Sequence, residues 1–154
     1  MTPQEIESFH RRSPGRRLGM LHRLSMAYMT CPLADMGLTK GRIGFLITVL
    51  QHEGIVQEDL SNLLFIDPAA TARALKHLES DGLVRRDEDP EDRRRKLVYS
   101  TARARALQPE LMAMLTRYNE ALFDGLDREA QDRFLDMLDR LVANLRKGVE
   151  DMER

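Results

Sequence analysis

The sequence predicts a mainly α-helical chain that carries one small β-hairpin and has long helices toward both ends. Apolar residues recur at helical spacing through most of its 154 residues, and the period turns strand-like only at Leu83–Arg86 and Leu97–Ser100. Asp67-Pro68 marks a helix start just before that change. A single core commonly serves about 100–200 residues, so residues 1–154 are expected to form one domain. A chain of this size buries roughly 68–70% of its unfolded surface and needs no covalent staple.

In chain order, Leu18, Leu21, Ser25 and Tyr28, with Leu24 beside them, line one face of a first helix. That helix is expected to end near Cys31-Pro32, because proline biases its predecessor away from helix. Thr39 is placed to cap a second helix with Ile43, Leu46, Ile47 and Leu50 on its buried face, ended by Gly54. A short third helix, Gln57–Leu64, would bury Leu60, Leu63 and Leu64.

Asp67 then caps a fourth helix, Pro68 takes its first position, and the helix runs to Ser80 before Asp81-Gly82 stops it. Its period turns Thr71, Ala74, Leu75 and Leu78 inward and leaves Ala69, Ala70, Arg73, Lys76 and His77 outside. The two strand-like segments flank Asp87–Lys96, which is polar apart from Pro90, and so predict a hairpin with a protruding tip. Two long helices follow. One, about Thr101–Gly125, has Leu111, Leu115, Tyr118 and Leu122 in register, and the next starts at Asp127 with Phe134, Leu138, Leu141 and Leu145.

The net charge of −1 argues nothing by itself for a polyanionic partner, but the charges are unevenly placed. Arg11, Arg12, Arg16, Arg17 and Arg23 crowd the N-terminal segment, while Asp124, Asp127, Glu129, Asp132, Asp136 and Asp139 make the last third acidic. The hairpin tip carries the run Arg93-Arg94-Arg95-Lys96. Screening limits each charge to about 8 Å, so a local basic feature can contact phosphates whatever the overall charge.

The single cysteine, Cys31, excludes an internal disulfide framework and suits a reducing compartment. Met1–Glu5 lacks a secretory pattern, and Ile43–Leu50 falls far short of the ~20 apolar residues of a membrane span. A cytoplasmic protein without membrane contact is expected. His10, His22, His52 and His77 lack metal-ligand spacing, and there is no phosphate-cradling glycine loop or nucleophile elbow. No catalysis, cofactor or metal is expected.

Short helix, turn, capped helix with a polar outer face, then hairpin is the order of a winged helix-turn-helix. Long N- and C-terminal helices with apolar seams suit dimerisation. A helix fits the DNA major groove, about 12 Å wide, and its N-terminal residues meet base edges. A basic hairpin tip can enter the adjacent minor groove, where arginine is favoured.

The segment from Asp67 through Leu78-Glu79-Ser80-Asp81-Gly82-Leu83-Val84 resembles the recognition helix and following turn of MarR-family regulators. Asp89-Pro90-Glu91-Asp92-Arg93-Arg94-Arg95-Lys96-Leu97-Val98-Tyr99-Ser100-Thr101 resembles their wing, and helix order extends the likeness from about Leu18 to Leu145. The resemblance divides the chain into a winged lobe at about 39–101 and dimerisation helices at about 5–31 and 102–150.

It implies a sequence-specific transcriptional regulator of double-stranded DNA. Such a protein would be a repressor, dimeric on a pseudo-palindromic operator and released by a small aromatic or apolar effector. It assigns DNA contact to Gln57, Ser61, Ala69, Ala70, Thr71, Arg73, Lys76, His77, Arg93, Arg94 and Arg95, with Asp92 orienting Arg94.

The chain departs from the family pattern at several places. Ala69 and Ala70 stand where hydroxyl residues are frequent, Phe65 and Ala104 where glycine is, and Ser100 where an aliphatic side chain is. The competing class is a winged-helix dimer that acts mainly by binding another protein. Met20, Met26, Met29 and Met36 suit adaptable packing and also the lining of an apolar effector cleft. Cys31, at the expected end of the first helix, is poorly placed for a redox role.

Overall fold

The computed structural model describes residues 2–152. The chain up to Leu115 forms one compact unit and the chain from Thr116 a second. Among the described residues, no helix is long and apolar enough to cross a membrane.

The first unit opens with α1 (Pro3–Arg12), started by a capping box in which Thr2 Oγ1 accepts the Glu5 N–H and the Glu5 carboxylate accepts the Thr2 N–H. Extended Ser13 separates it from α2 (Pro14–Asp35), so the N-terminal segment holds two helices. The cause is local, since a residue preceding proline is pushed out of the helical region.

The same rule misplaces the end of α2, which runs through Pro32 to Asp35 and sets Cys31 inside it. An interior proline costs about 3 kcal/mol. Continuing the helix past Pro32 buries Leu33 fully and leads into buried Met36, and each such side chain contributes about 1.5–3 kcal/mol. Gly37, at φ 69, supplies the actual stop.

Thr39 makes no side-chain cap; it precedes a single 3-10 turn, Lys40–Arg42, and α3 (Ile43–Gln51) follows. Ile43, Phe45, Leu46, Thr48 and Val49 are buried there, while Ile47 and Leu50 are half-buried. The short β1 (Ile55–Val56) comes next, unanticipated from sequence, and then α4 (Gln57–Leu64) with the predicted bounds. Leu60 is fully buried and Leu64 half-buried, whereas Leu63 turns outward at 48% exposure.

Phe65 closes α4 in the left-handed conformation, at φ 55 and ψ 44. The expected glycine position thus keeps its backbone geometry with a phenylalanine in it. The α5 helix (Pro68–Ser80) also has the predicted bounds, with Asp67 Oδ1 accepting the Ala70 N–H at 2.8 Å.

Strands β2 (Val84–Glu88) and β3 (Lys96–Ser100) form the hairpin in register from Val84↔Ser100 to Glu88↔Lys96. β1 pairs antiparallel on the other side of β3, Ile55 opposite Val98, giving the order β1-β3-β2. Leu33, Leu46, Val49, Leu60, Leu75, Leu78, Leu83 and Val98 form the centre of the core.

Helix α6 (Ala102–Leu122) starts where Thr101 Oγ1 accepts the Ala104 N–H at 3.2 Å. It buries Ala104, Leu111 and Met114, and leaves Leu115, Tyr118 and Leu122 half-buried. In the second unit, Gly125 turns the chain and Asp127 Oδ1 caps α7 (Arg128–Met152) at the Ala130 N–H, 2.8 Å away. Phe123 and Phe134 meet edge to face there, with ring centroids 5.9 Å apart. None of α7's described residues is buried: Phe134 and Leu138 are half-covered, and Leu141 and Leu145 are exposed.

Candidate nucleic-acid interface

The capped start of α5 fixes which of its side chains face outward. Ala69, Arg73, Lys76 and His77 are exposed and Ala70 is half-buried. Arg73, Lys76 and Arg93 pair with no carboxylate among the described residues, so their charge is directed to solvent.

Two expected contact residues are withdrawn from this surface. Thr71 is wholly buried on the inner face of α5 and its hydroxyl has no hydrogen-bond partner among the described residues. Ser61 is 2% exposed, and its hydroxyl donates to the Gln57 carbonyl at 3.1 Å. Their side chains pack the helix pair, because the period that buries Leu75 and Leu60 buries these positions too.

The wing tip is organised by two aspartates. Asp89, 7% exposed, accepts the Glu91 N–H at 2.9 Å through Oδ1, and its Oδ2 lies 3.6 Å from Arg95 Nη1. Asp92 Oδ1 accepts the Arg94 backbone N–H at 3.0 Å and its Nε–H at 3.3 Å. Those two hydrogen bonds, backbone first, with the charge of Arg95 beside them, hold the Asp92 carboxyl below its ordinary range. Arg94 is thereby aimed while its side chain stays 92% exposed. Lys96 Nζ pairs across the strands with Glu88 Oε1 at 3.0 Å.

Between helices and wing runs a groove of about 240 Å³ whose walls include Gln57, Pro68, Arg94 and Arg95. It brings together four of the expected contact residues, Gln57, Ser61, Arg94 and Arg95, although Ser61 adds almost no exposed surface. Arg86, not anticipated from sequence, braces one of these residues, Gln57. From β2 it donates to Gln57 Oε1 on α4 at 3.4 Å and to Glu79 Oε2 on α5 at 2.7 Å. That side-chain bond is the chief reason the Glu79 carboxyl titrates below its ordinary value. On the outer strand surface, Arg85 pairs with Asp87 and lies 4.3 Å from the centre of the Tyr99 ring.

Of the four methionines near α2, Met29 and Met36 are core residues, Met26 is half-buried and Met20 is exposed. Adaptable packing therefore accounts for at least two of them. No cluster of metal-ligating side chains occurs among the described residues.

A capped helix following a short helix across a tight turn, beside a three-stranded sheet whose hairpin projects a basic tip, defines a winged-helix DNA-binding regulator. Residues 38–96 match the model of the MarR family. The HTH-type transcriptional regulator YdgJ of Bacillus subtilis is 31% identical over 112 residues, 73% of this chain and 68% of that protein.

A MarR transcriptional regulator from Methanosarcina mazei Go1 superposes with a TM-score of 0.80 at 30% identity, covering 86% of this chain and 96% of its own. A MarR-family regulator from Listeria monocytogenes, solved with a 26mer DNA, shares the fold with a TM-score of 0.83 at 24% identity, covering 87% and 89%. This chain belongs to the MarR family of winged-helix transcriptional regulators, whose members are regulators and not enzymes.

Proposed function

We propose that this protein is a homodimeric repressor that binds a pseudo-palindromic double-stranded operator in the cytoplasm and is released by a small apolar or aromatic effector. The observation that carries the DNA reading is a shared presentation: α5 exposes Arg73, Lys76 and His77, and the wing exposes an Arg94 that Asp92 holds. In this reading α5 enters the major groove, with Ala69 and Ala70 against thymine methyls. Arg94 enters the adjacent minor groove, and Arg93 and Arg95 neutralise phosphates near it. Gln57, at the start of α4, positions the sugar-phosphate backbone. The Listeria relative of the same fold, solved with a 26mer DNA, supports DNA as the partner.

The dimer reading rests on α7, which keeps Leu135, Leu141, Val142 and Leu145 exposed along its length. A contiguous apolar face of this kind marks a binding surface, and a second copy of the helix covers it. Two recognition helices would then stand about 34–36 Å apart, or a multiple of that. Repression follows from steric exclusion of polymerase, and an effector acts by favouring a different separation of those helices.

Selection of bound sites from a random DNA pool, followed by titration at several salt concentrations, tests the reading. Log K should fall by about 0.9 per neutralised phosphate for each tenfold rise in salt. The selected site should exceed random duplex by at least about 10³. Equal affinity for scrambled DNA would instead favour a winged-helix dimer working through protein contacts.

A further inference from the structure

Ser100, the last residue of β3 and an unusual hydroxyl by resemblance to the family, is only 3% exposed. Its polar groups are taken up from two sides. Glu53, in the turn after α3, accepts the Ser100 N–H at 2.9 Å through Oε2 and the Ser100 hydroxyl through Oε1. Arg105, in the first turn of α6, donates from Nη1 to the Ser100 carbonyl at 3.0 Å and to its hydroxyl oxygen at 2.9 Å. That nitrogen also lies 3.6 Å from Glu53 Oε1. Burial raises the Glu53 carboxyl, but the Ser100 hydroxyl and N–H and the Arg105 charge outweigh it, so the group stays ionised below its ordinary range.

The placement matters for the wing. β1 pairs with β3 only at Val98 and Leu97, and Glu53 takes up the Ser100 N–H just beyond that short ladder. A five-residue strand spans about 15 Å, so a tilt of about 10° at its root moves the tip by roughly 2.5 Å. That displacement exceeds what a hydrogen bond tolerates.

We infer that Glu53 and Arg105 are positioning residues for DNA recognition: gripping Ser100, they hold the root of the wing to the first turn of α6 and so set where Arg94 arrives. This inference rests on the operator-binding reading above. Glu53 and Arg105 touch no DNA themselves in this arrangement; they act through Ser100 and β3.

The test compares the wild-type chain with Glu53→Gln, Ser100→Ala, Arg105→Ala and the conservative Ser100→Thr, on the selected operator and on scrambled duplex. Glu53→Gln and Ser100→Ala should lose about tenfold in operator affinity with scrambled-duplex affinity unchanged, and Ser100→Thr should keep the wild-type ratio. Arg105→Ala should lower the ratio without changing the salt slope. A reduced slope would make Arg105 a direct phosphate contact and overturn its positioning role. Equal losses on both duplexes would mean a merely structural role and overturn the inference, as would unchanged ratios.

Amide hydrogen exchange in the DNA-free chain judges the clamp independently. Exchange at Ser100 and through residues 84–100 should quicken in Glu53→Gln, and unaltered exchange would overturn the clamp. A wild-type chain that fails to discriminate operator from scrambled DNA would overturn the regulator reading, while the exchange result would still decide whether the clamp exists.

Discussion

Arg86 sits on β2 and donates to one helix on either side, so a single guanidinium ties the wing strand to the start of α4 and the end of α5. Its partners lie 29 and 7 residues away in sequence, which is why no local pattern announced it. The bond also sets a pH dependence. Glu79 titrates below its ordinary value in the fold, so its contribution is fully present above the unfolded carboxyl value, about 4.3, and is lost as pH falls through the lowered folded value. Glu79→Gln should therefore flatten the acid limb of urea midpoint against pH; an unchanged limb would remove this pair from the stability of the fold. At the tip, Arg94→Ala should weaken operator binding and reduce the salt slope by about 0.9 with the proposed dimer unaffected. Retained affinity would take the wing out of the mechanism.

Among the elements, those with chemical punctuation were legible. The ends of α5 follow from Asp67-Pro68 and Gly82, and those of α4 from its apolar spacing and the turn after it. Asp67→Ala should cost about 1 kcal/mol and lower the melting temperature by about 2–4 °C, because the Ala70 N–H loses its acceptor. It should also weaken operator binding, since fraying begins at the end of α5 that the proposed mode sets against the bases; thermal melts and titration of the same variant check both. Of the inner positions of the pair, Thr71 was legible as buried by period and Ser61 was not, and the resemblance alone put both at the DNA. Punctuation misled at Pro32, where core burial outweighed a local preference. β1 was illegible for a different reason: two residues have no period, and their partners are Leu97 and Val98, far along the chain.

For the whole molecule, the sequence pattern identified the apolar face of α7 but could not say what covers it. Within one chain, none of that helix's described residues is buried. Leu141→Glu combined with Leu145→Glu should therefore leave secondary structure unchanged, convert the proposed dimer to monomer in sedimentation, and weaken binding to a full operator far more than to a half-site. A variant that remains dimeric would place the interface elsewhere. The network at Glu53, Ser100 and Arg105 was hidden for the reason that hid Arg86: it joins segments 47 residues apart, and only the folded chain makes them neighbours.

Gly54, in the turn between α3 and β1, has φ +79, and a Cβ added there would stand 3.0 Å from the Tyr99 ring. Any side chain must pay in backbone strain and also press on the ring that Arg85 faces. In a saturation library screened for operator binding, this position should come through as glycine almost alone. Gly41 and Gly44, where an added Cβ meets nothing within 4 Å, should accept alanine. A two-residue strand that is hard to see in the sequence thus begins at a site with almost no freedom to drift.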